Sequence, residues 1–329
     1  QATLAQVPAC AMLRKRPAAA LVPAAATQRA TARVAAPAAG SAAAGGASAE
    51  SRRSAAEASD DVRRHGFATP MRAIDRSLAA QYLEKLWAYG KTADGGLAGD
   101  ARFKTHLLLP WVASLIREPA VLDPLESLLG PDILVWSSGW AIKHAESSGY
   151  YSWHQDSTYA GLDPPEAAVV AWIALTPSRP DNGCVRYLPG SHARQLPHVD
   201  GFEEENLLSR GQCVRADHMP DEDTAVDAVL EPGDFALHDF RCVHGSGPNR
   251  TSEPRVGLQV VYMATRCRGR GAREGASLVR GRDSHGHWEL EPEPLHEFGP
   301  GEVDAHRRSM ALEKANYFAD SQGRQGYHK

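Results

Sequence analysis

The hexapeptide YSWHQD, residues 151–156, places an imidazole at His154 and a carboxylate at Asp156, two residues apart. On a β-strand, side chains at i and i+2 leave the same face, so the two would project side by side. They are two thirds of a 2-His-1-carboxylate iron site, whose three protein ligands leave the other positions of the metal open. The second imidazole has to come from elsewhere, and His244, in FRCVHGSGPNR, is the candidate. It would arrive on a later strand that is adjacent in the fold. Arg255 follows eleven residues on. A dicarboxylate co-substrate that chelates iron through one end needs its far carboxylate neutralised in a buried pocket, and a guanidinium can bind it bidentately. Taken singly, an HxD pair is an ordinary loop salt bridge and an arginine at a strand start an ordinary surface charge. The order of the pieces along the chain is what favours the site.

The elements that would position these residues begin near Phe67. Leu78, Tyr82 and Leu86, with Ala79, Leu83 and Trp87, recur at helical spacing, with Gly90 where a C-cap would sit and a loop over residues 91–96. A second helix is predicted from Pro119 to Gly130. The pattern then turns to β: residues 133–136, a piece around Ile142, the nine-residue apolar run 167–175, CVRYL after the turn residues Asp181, Asn182 and Gly183, FALH after Gly233-Asp234, and the alternating stretch 255–263. Residues 200–224 are polar and acidic, as in a long surface excursion or lid. From about Arg266 to Ser284 the chain is rich in Gly and Arg, and a tail with one helix over 305–318 closes it. Short strands after a helical lead-in predict a mainly β fold with flanking helices (α+β), a double-stranded β-helix, jelly-roll and cupin-like. The glycine-rich GRGAREG at 269–275 lacks the preceding strand of a dinucleotide fold.

Composition bounds the function class. The net charge of −4 divides into five basic and no acidic residues over 1–49, leaving −9 on the rest, which argues against a nucleic-acid surface. No run approaches 18 apolar residues, so no membrane-spanning helix is expected. Five cysteines without a CxxC pair read as reduced thiols. Residues 1–60 form an Ala-rich, acid-poor extension with the composition of a transit peptide to a plastid or mitochondrion, and a cytoplasmic location is expected otherwise. Residues 67–329 are then one catalytic domain with a C-terminal tail.

From about Ile74 to Gly281 the chain resembles the phytanoyl-CoA dioxygenase family of Fe(II)/2-oxoglutarate oxygenases. The resemblance rests on WHQDSTY (153–159), DNGCVRYLPGSH (181–192), and EPGD with HGSGPN (231–249) followed by Arg255. It implies Fe(II), 2-oxoglutarate and O2 as cofactor and co-substrates. His154, Asp156 and His244 would be the iron ligands and Arg255 the clamp on 2-oxoglutarate. Ser246 and Trp172 match positions that hold and line the same pocket, and Lys143, His106 and Trp136 lie where upstream strands approach it. The likeness makes His192 and His238 structural or ligand-orienting. Halogenases of this broad family carry a small residue in place of the carboxylate, so Asp156 favours hydroxylation. A halogenase, a desaturase or cyclase, and a catalytically silent metal- or 2-oxoglutarate-binding protein are the alternatives. Trp153, Ser157, Tyr159, Trp140, Arg186 and Arg241, near the HxD pair, are expected to face a small polar, charged or cationic metabolite. His285 and His287, with Glu289 nearby, read as a solvated tail.

Overall fold

Ile133–Lys143 and Arg255–Ala264 form the longest strand pairing in the chain, antiparallel from Lys143 opposite Arg255 to Ile133 opposite Ala264. They are the centre of a seven-stranded sheet in the computed structural model, which describes residues 53–93, 96–321 and 326–327. Its order is Phe67–Arg72, Asp234–Asp239, Ala168–Ala174, Arg255–Ala264, Ile133–Lys143, Gly275–Arg280 and Glu289–Leu290. A second sheet runs Tyr151–His154, His244–Ser246, Arg186–Tyr187 and Val226–Asp227. But for the last pair of the large sheet, neighbours in both sheets are distant in sequence and antiparallel. This is the expected jelly-roll.

Every residue of Ala168–Ala174 is buried, as a strand covered on both faces requires. The two pieces predicted at 133–136 and around Ile142 are one strand. Ser137 and Ser138 between them look like a break in sequence but are buried. Gly139 stands where a Cβ would lie 3.0 Å from the Phe103 ring, so a side chain there would crowd that ring.

The helices differ from expectation at their ends. Arg76–Thr92 runs through Gly90 into the predicted loop and buries Ala79, Tyr82, Leu86 and Tyr89. Pro119–Leu129 ends at Gly130 as predicted. Ala55–His65 is a helix that begins inside the segment expected to be an unstructured extension. Ser54 and Glu57 form a capping box at its start, and Ser59 Oγ donates to Pro124 O at 3.2 Å. Capping and a few small buried residues suffice because the packing partner is remote in sequence. The transit-peptide reading otherwise falls on residues up to Arg52, outside the described ones.

The C-terminal region is no loose tail. Gly275–Arg280 adds a strand to the edge of Ile133–Lys143, and Pro300–Tyr317 is a helix that buries Ala305, Ser309, Met310 and Glu313. Cys184, Cys242 and Cys267 are free and buried, whereas Cys213 is disulfide-bonded, against the all-thiol expectation. No helix among the described residues is long and apolar enough to cross a membrane.

Candidate metal centre

In the smaller sheet His154 and His244 are register partners, and their ring centroids lie 4.1 Å apart. Each ring is fixed by the backbone two residues before it. His154 Nδ1 lies 2.8 Å from Ser152 O, and His244 Nδ1 lies 3.0 Å from Cys242 O. A carbonyl only accepts, so both protons sit on Nδ1 and both Nε2 lone pairs are free to bind a metal. Asp156 does not extend the strand, as the i, i+2 argument expects. The strand ends at His154, and Asp156 opens a 3-10 turn, Asp156–Thr158. Gln155 holds that turn: its amide donates to Arg194 O at 2.9 Å, and its carbonyl accepts from Leu196 N at 2.7 Å. The Asp156 carboxylate thereby reaches back, with Oδ1 3.4 Å from His154 Nε2 and Oδ2 3.8 Å from His244 Nε2. One ligand atom from each of the three residues lies within 4.8 Å of the others.

Further groups set the charge. His238 Nε2 is 3.1 Å from Asp156 Oδ2, and its Nδ1 is 3.2 Å from the Tyr187 hydroxyl. Burial by itself would raise the Asp156 carboxyl. The imidazoles of His244, His154 and His238 around it outweigh burial and hold it well below the usual range, with His238 donating the hydrogen bond. Burial, then the neighbouring His154, pushes His244 well below an ordinary imidazole. A neutral imidazole and an ionised carboxylate are the forms that bind metal. Two imidazole nitrogens and one carboxylate suit a divalent non-haem iron.

Beside this cluster lies a pocket of unmatched positive charge. Arg255, at 1% exposure, donates from Nη1 to Gly183 O at 2.6 Å and to Ser246 Oγ at 3.4 Å, while its Nε has no partner. Lys143, also at 1% exposure, reaches Ser246 O at 3.2 Å and contacts Ser246 Oγ and Gly247 O. Among the described residues no carboxylate pairs with either cation. Burial lowers both groups, and for Lys143 the Arg255 charge adds to it, taking it well below the ordinary lysine value. Two buried cations facing only neutral acceptors are costly unless an anion joins them. Gly183 brings its carbonyl here in the left-handed conformation, φ +73°, where a Cβ would lie 2.1 Å from Gly247 O. Trp172 covers the guanidinium, whose Cζ is 4.9 Å from the ring centroid.

A sequence profile of the phytanoyl-CoA dioxygenase family matches residues 20–257. The chain belongs to the phytanoyl-CoA dioxygenase family. Fe(II), 2-oxoglutarate and dioxygen come with that membership, and the donor set and cationic pocket fit them. Among solved structures the chain resembles the apo form of ThoJ, a non-heme monooxygenase, at 32% identity and TM-score 0.73, covering 81% of this chain and 99% of that one. Among curated proteins it is 28% identical to the peroxisomal phytanoyl-CoA dioxygenase of Rattus norvegicus, over 46% of this chain and 45% of that one. It is also 28% identical to the ectoine dioxygenase of Streptomyces coelicolor, over 49% and 57%. The chain thus spans about half the length of the curated relatives it matches.

Within this phytanoyl-CoA dioxygenase fold a cavity of about 160 Å³ is lined by His154, Asp156, His244, Ser246, Trp172 and Arg255. That is roughly ten times what a single water requires. Trp136 lines it too, with its indole N–H committed to Glu274 Oε2 at 2.9 Å. His106 does not line it. Its Nδ1 is 2.7 Å from Ser138 Oγ, and its Nε2 faces Glu291 Oε2 at 3.8 Å, in a buried cluster behind the cavity wall.

Of the residues expected to face a metabolite only Trp140 does. Trp153 lies one step along the strand from His154 and so on its other face, donating to Glu222 Oε2 at 3.1 Å. Arg186 pairs with Asp227, Arg241 lies near Asp239 and Glu166, Ser157 donates to Gln195, and Tyr159 stacks under Arg210. His192 Nε2 meets Arg63 O, away from the metal ligands, and His285 and His287 are exposed. Sequence reasoning missed Arg102, Phe103, Glu313, Tyr317 and Tyr327, which complete the cavity wall. They come from a short turn and the C-terminal region, which carry no local motif.

Proposed function

We propose that the protein is an Fe(II)- and 2-oxoglutarate-dependent dioxygenase that hydroxylates an unactivated C–H bond of a small metabolite, releasing succinate and CO2. The observation that carries this reading is the convergence of His154, Asp156 and His244 with Arg255 in one cavity, where no carboxylate of the described residues pairs with Arg255 or with Lys143 behind it. His154 and His244 would hold iron through Nε2 and Asp156 through its carboxylate. Held by these three residues, iron would supply, with 2-oxoglutarate and dioxygen, the oxidising chemistry for attack on a C–H bond.

The rest is the work of the chain. Ser152 O and Cys242 O hold the two rings turned, each accepting from Nδ1 and leaving Nε2 toward the metal position. His238 orients the carboxylate. Arg255 and Lys143 would neutralise the far carboxylate of 2-oxoglutarate, Ser246 would donate a hydrogen bond to it, and Trp172 would keep water from that ion pair. The carboxylate at Asp156 occupies the place that halogenases of the family leave open.

The test is anaerobic. Addition of Fe(II) and then 2-oxoglutarate to the full chain is expected to develop the weak visible charge-transfer band of the chelate. Asp156→Ala and His244→Ala should lose both the band and 2-oxoglutarate-dependent succinate formation. Full succinate formation by either variant would sink the assignment. Product mass then reads the outcome: one added oxygen for hydroxylation, two hydrogens fewer for desaturation or cyclisation, and halogen incorporation for halogenation.

A further inference from the structure

The cavity that holds the candidate metal ligands contains a second buried guanidinium, which the proposed chemistry does not use. Arg102 ends the 3-10 turn Gly99–Arg102 and is 7% exposed. Its Nε is buried without a partner, and among the described residues Arg102 makes no hydrogen bond and no ion pair. Its Cζ lies 5.0 Å from the centroid of the Phe103 ring. The nearby acids are engaged elsewhere. Asp100 pairs with Lys314 at 2.6 Å. Glu313 accepts from the Tyr327 hydroxyl at 2.6 Å, and its other oxygen faces Lys104 at 3.6 Å. The remaining groups beside Arg102 are the phenols of Tyr151 and Tyr327, neither of them a carboxylate. A guanidinium taken from water and given no counter-ion is costly to the fold. Sequences that keep such a group generally use it.

We propose that Arg102 is the specificity-determining residue of the prime-substrate site and that it receives the carboxylate of a small organic acid. Its planar fork matches a carboxylate with two parallel hydrogen bonds. The cavity wall that Arg102 shares includes five aromatic side chains, Phe103, Trp136, Trp140, Tyr317 and Tyr327, together with Glu313. The body of the acid is therefore apolar and ring-bearing, and the carboxylate anchors it while a C–H bond is presented to the metal ligands. This replaces the cationic metabolite expected from the residues around the HxD pair, five of which point away from the cavity. The inference rests on the proposed function for the reaction, but not for the binding event.

The test titrates the full chain, anaerobically and with Fe(II) and 2-oxoglutarate, with 3-phenylpropionate and its neutral isostere 3-phenylpropionamide. Trp136 and Trp140 fluorescence, or heat, reports binding. The unaltered protein should bind the carboxylate about tenfold or more tightly than the amide. Arg102→Gln should abolish that preference and leave 2-oxoglutarate affinity unchanged. Arg102→Met should melt no lower than the unaltered protein, since it removes an unpaired buried charge.

Equal binding of acid and amide by the unaltered protein would overturn the proposal. So would an Arg102→Gln variant that loses 2-oxoglutarate instead, because Arg102 would then belong to the co-substrate pocket. A fall of more than about 4 °C in the melting point of Arg102→Met would mark a structural role and do the same. If the unaltered chain failed to bind 2-oxoglutarate with iron, the proposed function would fall. An Arg102-dependent preference for the carboxylate, measured without either, would still support the subsite.

Discussion

His238 donates to a carboxylate that is itself a candidate metal ligand, so its effect on the metal is indirect and measurable. Its replacement by alanine should weaken divalent-metal affinity about 10- to 100-fold, read by competition with a chelating dye. Unchanged affinity would reduce His238 to a filler of the barrel. Lys143 permits a pH prediction. Its folded proton affinity is depressed, so the unfolded chain holds more protons between the folded value and the ordinary 10.5, and stability should rise with pH across that window. A bound dianion favours the charged lysine. Affinity for 2-oxoglutarate should therefore weaken as pH rises through the Lys143 titration, with proton uptake on binding. Calorimetry in two buffers of different ionisation heat detects the uptake, and Lys143→Met should abolish it. Motif order supplied the candidate metal ligands at this scale, but not the tautomers, which are set by carbonyls of Ser152 and Cys242.

At the scale of the element, the strand Arg255–Ala264 does two things at once. Its first residue supplies the clamp, and Gly257 makes room for the tryptophan that covers it. A Cβ at Gly257 would lie 2.2 Å from the Trp172 ring. Gly257→Ala should cost about 1–3 kcal/mol of stability by overpacking. It should also raise the 2-oxoglutarate concentration needed for half-saturation, because Trp172 has to leave the guanidinium. Denaturant unfolding and a binding titration measure the two effects separately, and a variant normal in both would refute the coupling. The strand itself was legible from its alternation. The role of Gly257 was not, since Trp172 lies 85 residues away and meets it only through the pairing of Ala168–Ala174 with Arg255–Ala264.

At the scale of the molecule, a buried ion cluster ties the C-terminal region to the barrel. Lys104 Nζ donates to Glu291 Oε1 at 2.9 Å, to Ser309 Oγ at 2.8 Å and to Gly275 O at 3.2 Å, with none of its side chain exposed. Burial opposes ionisation of Glu291, but the Lys104 charge, the nearby His106 and a hydrogen bond from Ser309 outweigh it, and its carboxyl is strongly depressed. A depressed carboxylate contributes stability that is fully present above its unfolded value near 4.5 and is lost as pH falls below it. Glu291→Gln should destabilise the protein by about 3–5 kcal/mol near neutral pH, because it strands Lys104 in the core. The difference from the unaltered protein should shrink in acid. Chemical unfolding at two pH values checks both, and a neutral substitution would show that Lys104 is satisfied without Glu291. His106 acts in this assembly and not at the co-substrate.

The sequence by itself determined the residues with chemistry to do. An HxD pair, a later histidine, an arginine eleven residues on and apolar runs broken by turns are local patterns, and local patterns survive without a fold. They were enough for the jelly-roll and for the ligand set as a candidate. Only the tertiary structure decided what faces the cavity. It turned Asp156 back from a 3-10 turn, hid Trp153 on the other face of its strand, and made the expected tail into a wall carrying Glu313, Tyr317 and Tyr327. The reason is that burial and the absence of a partner are properties of what packs around a side chain. Arg102 is one arginine among many in the sequence, and it becomes a site only where the fold sets it in a cavity wall with five aromatic side chains and leaves it no counter-ion.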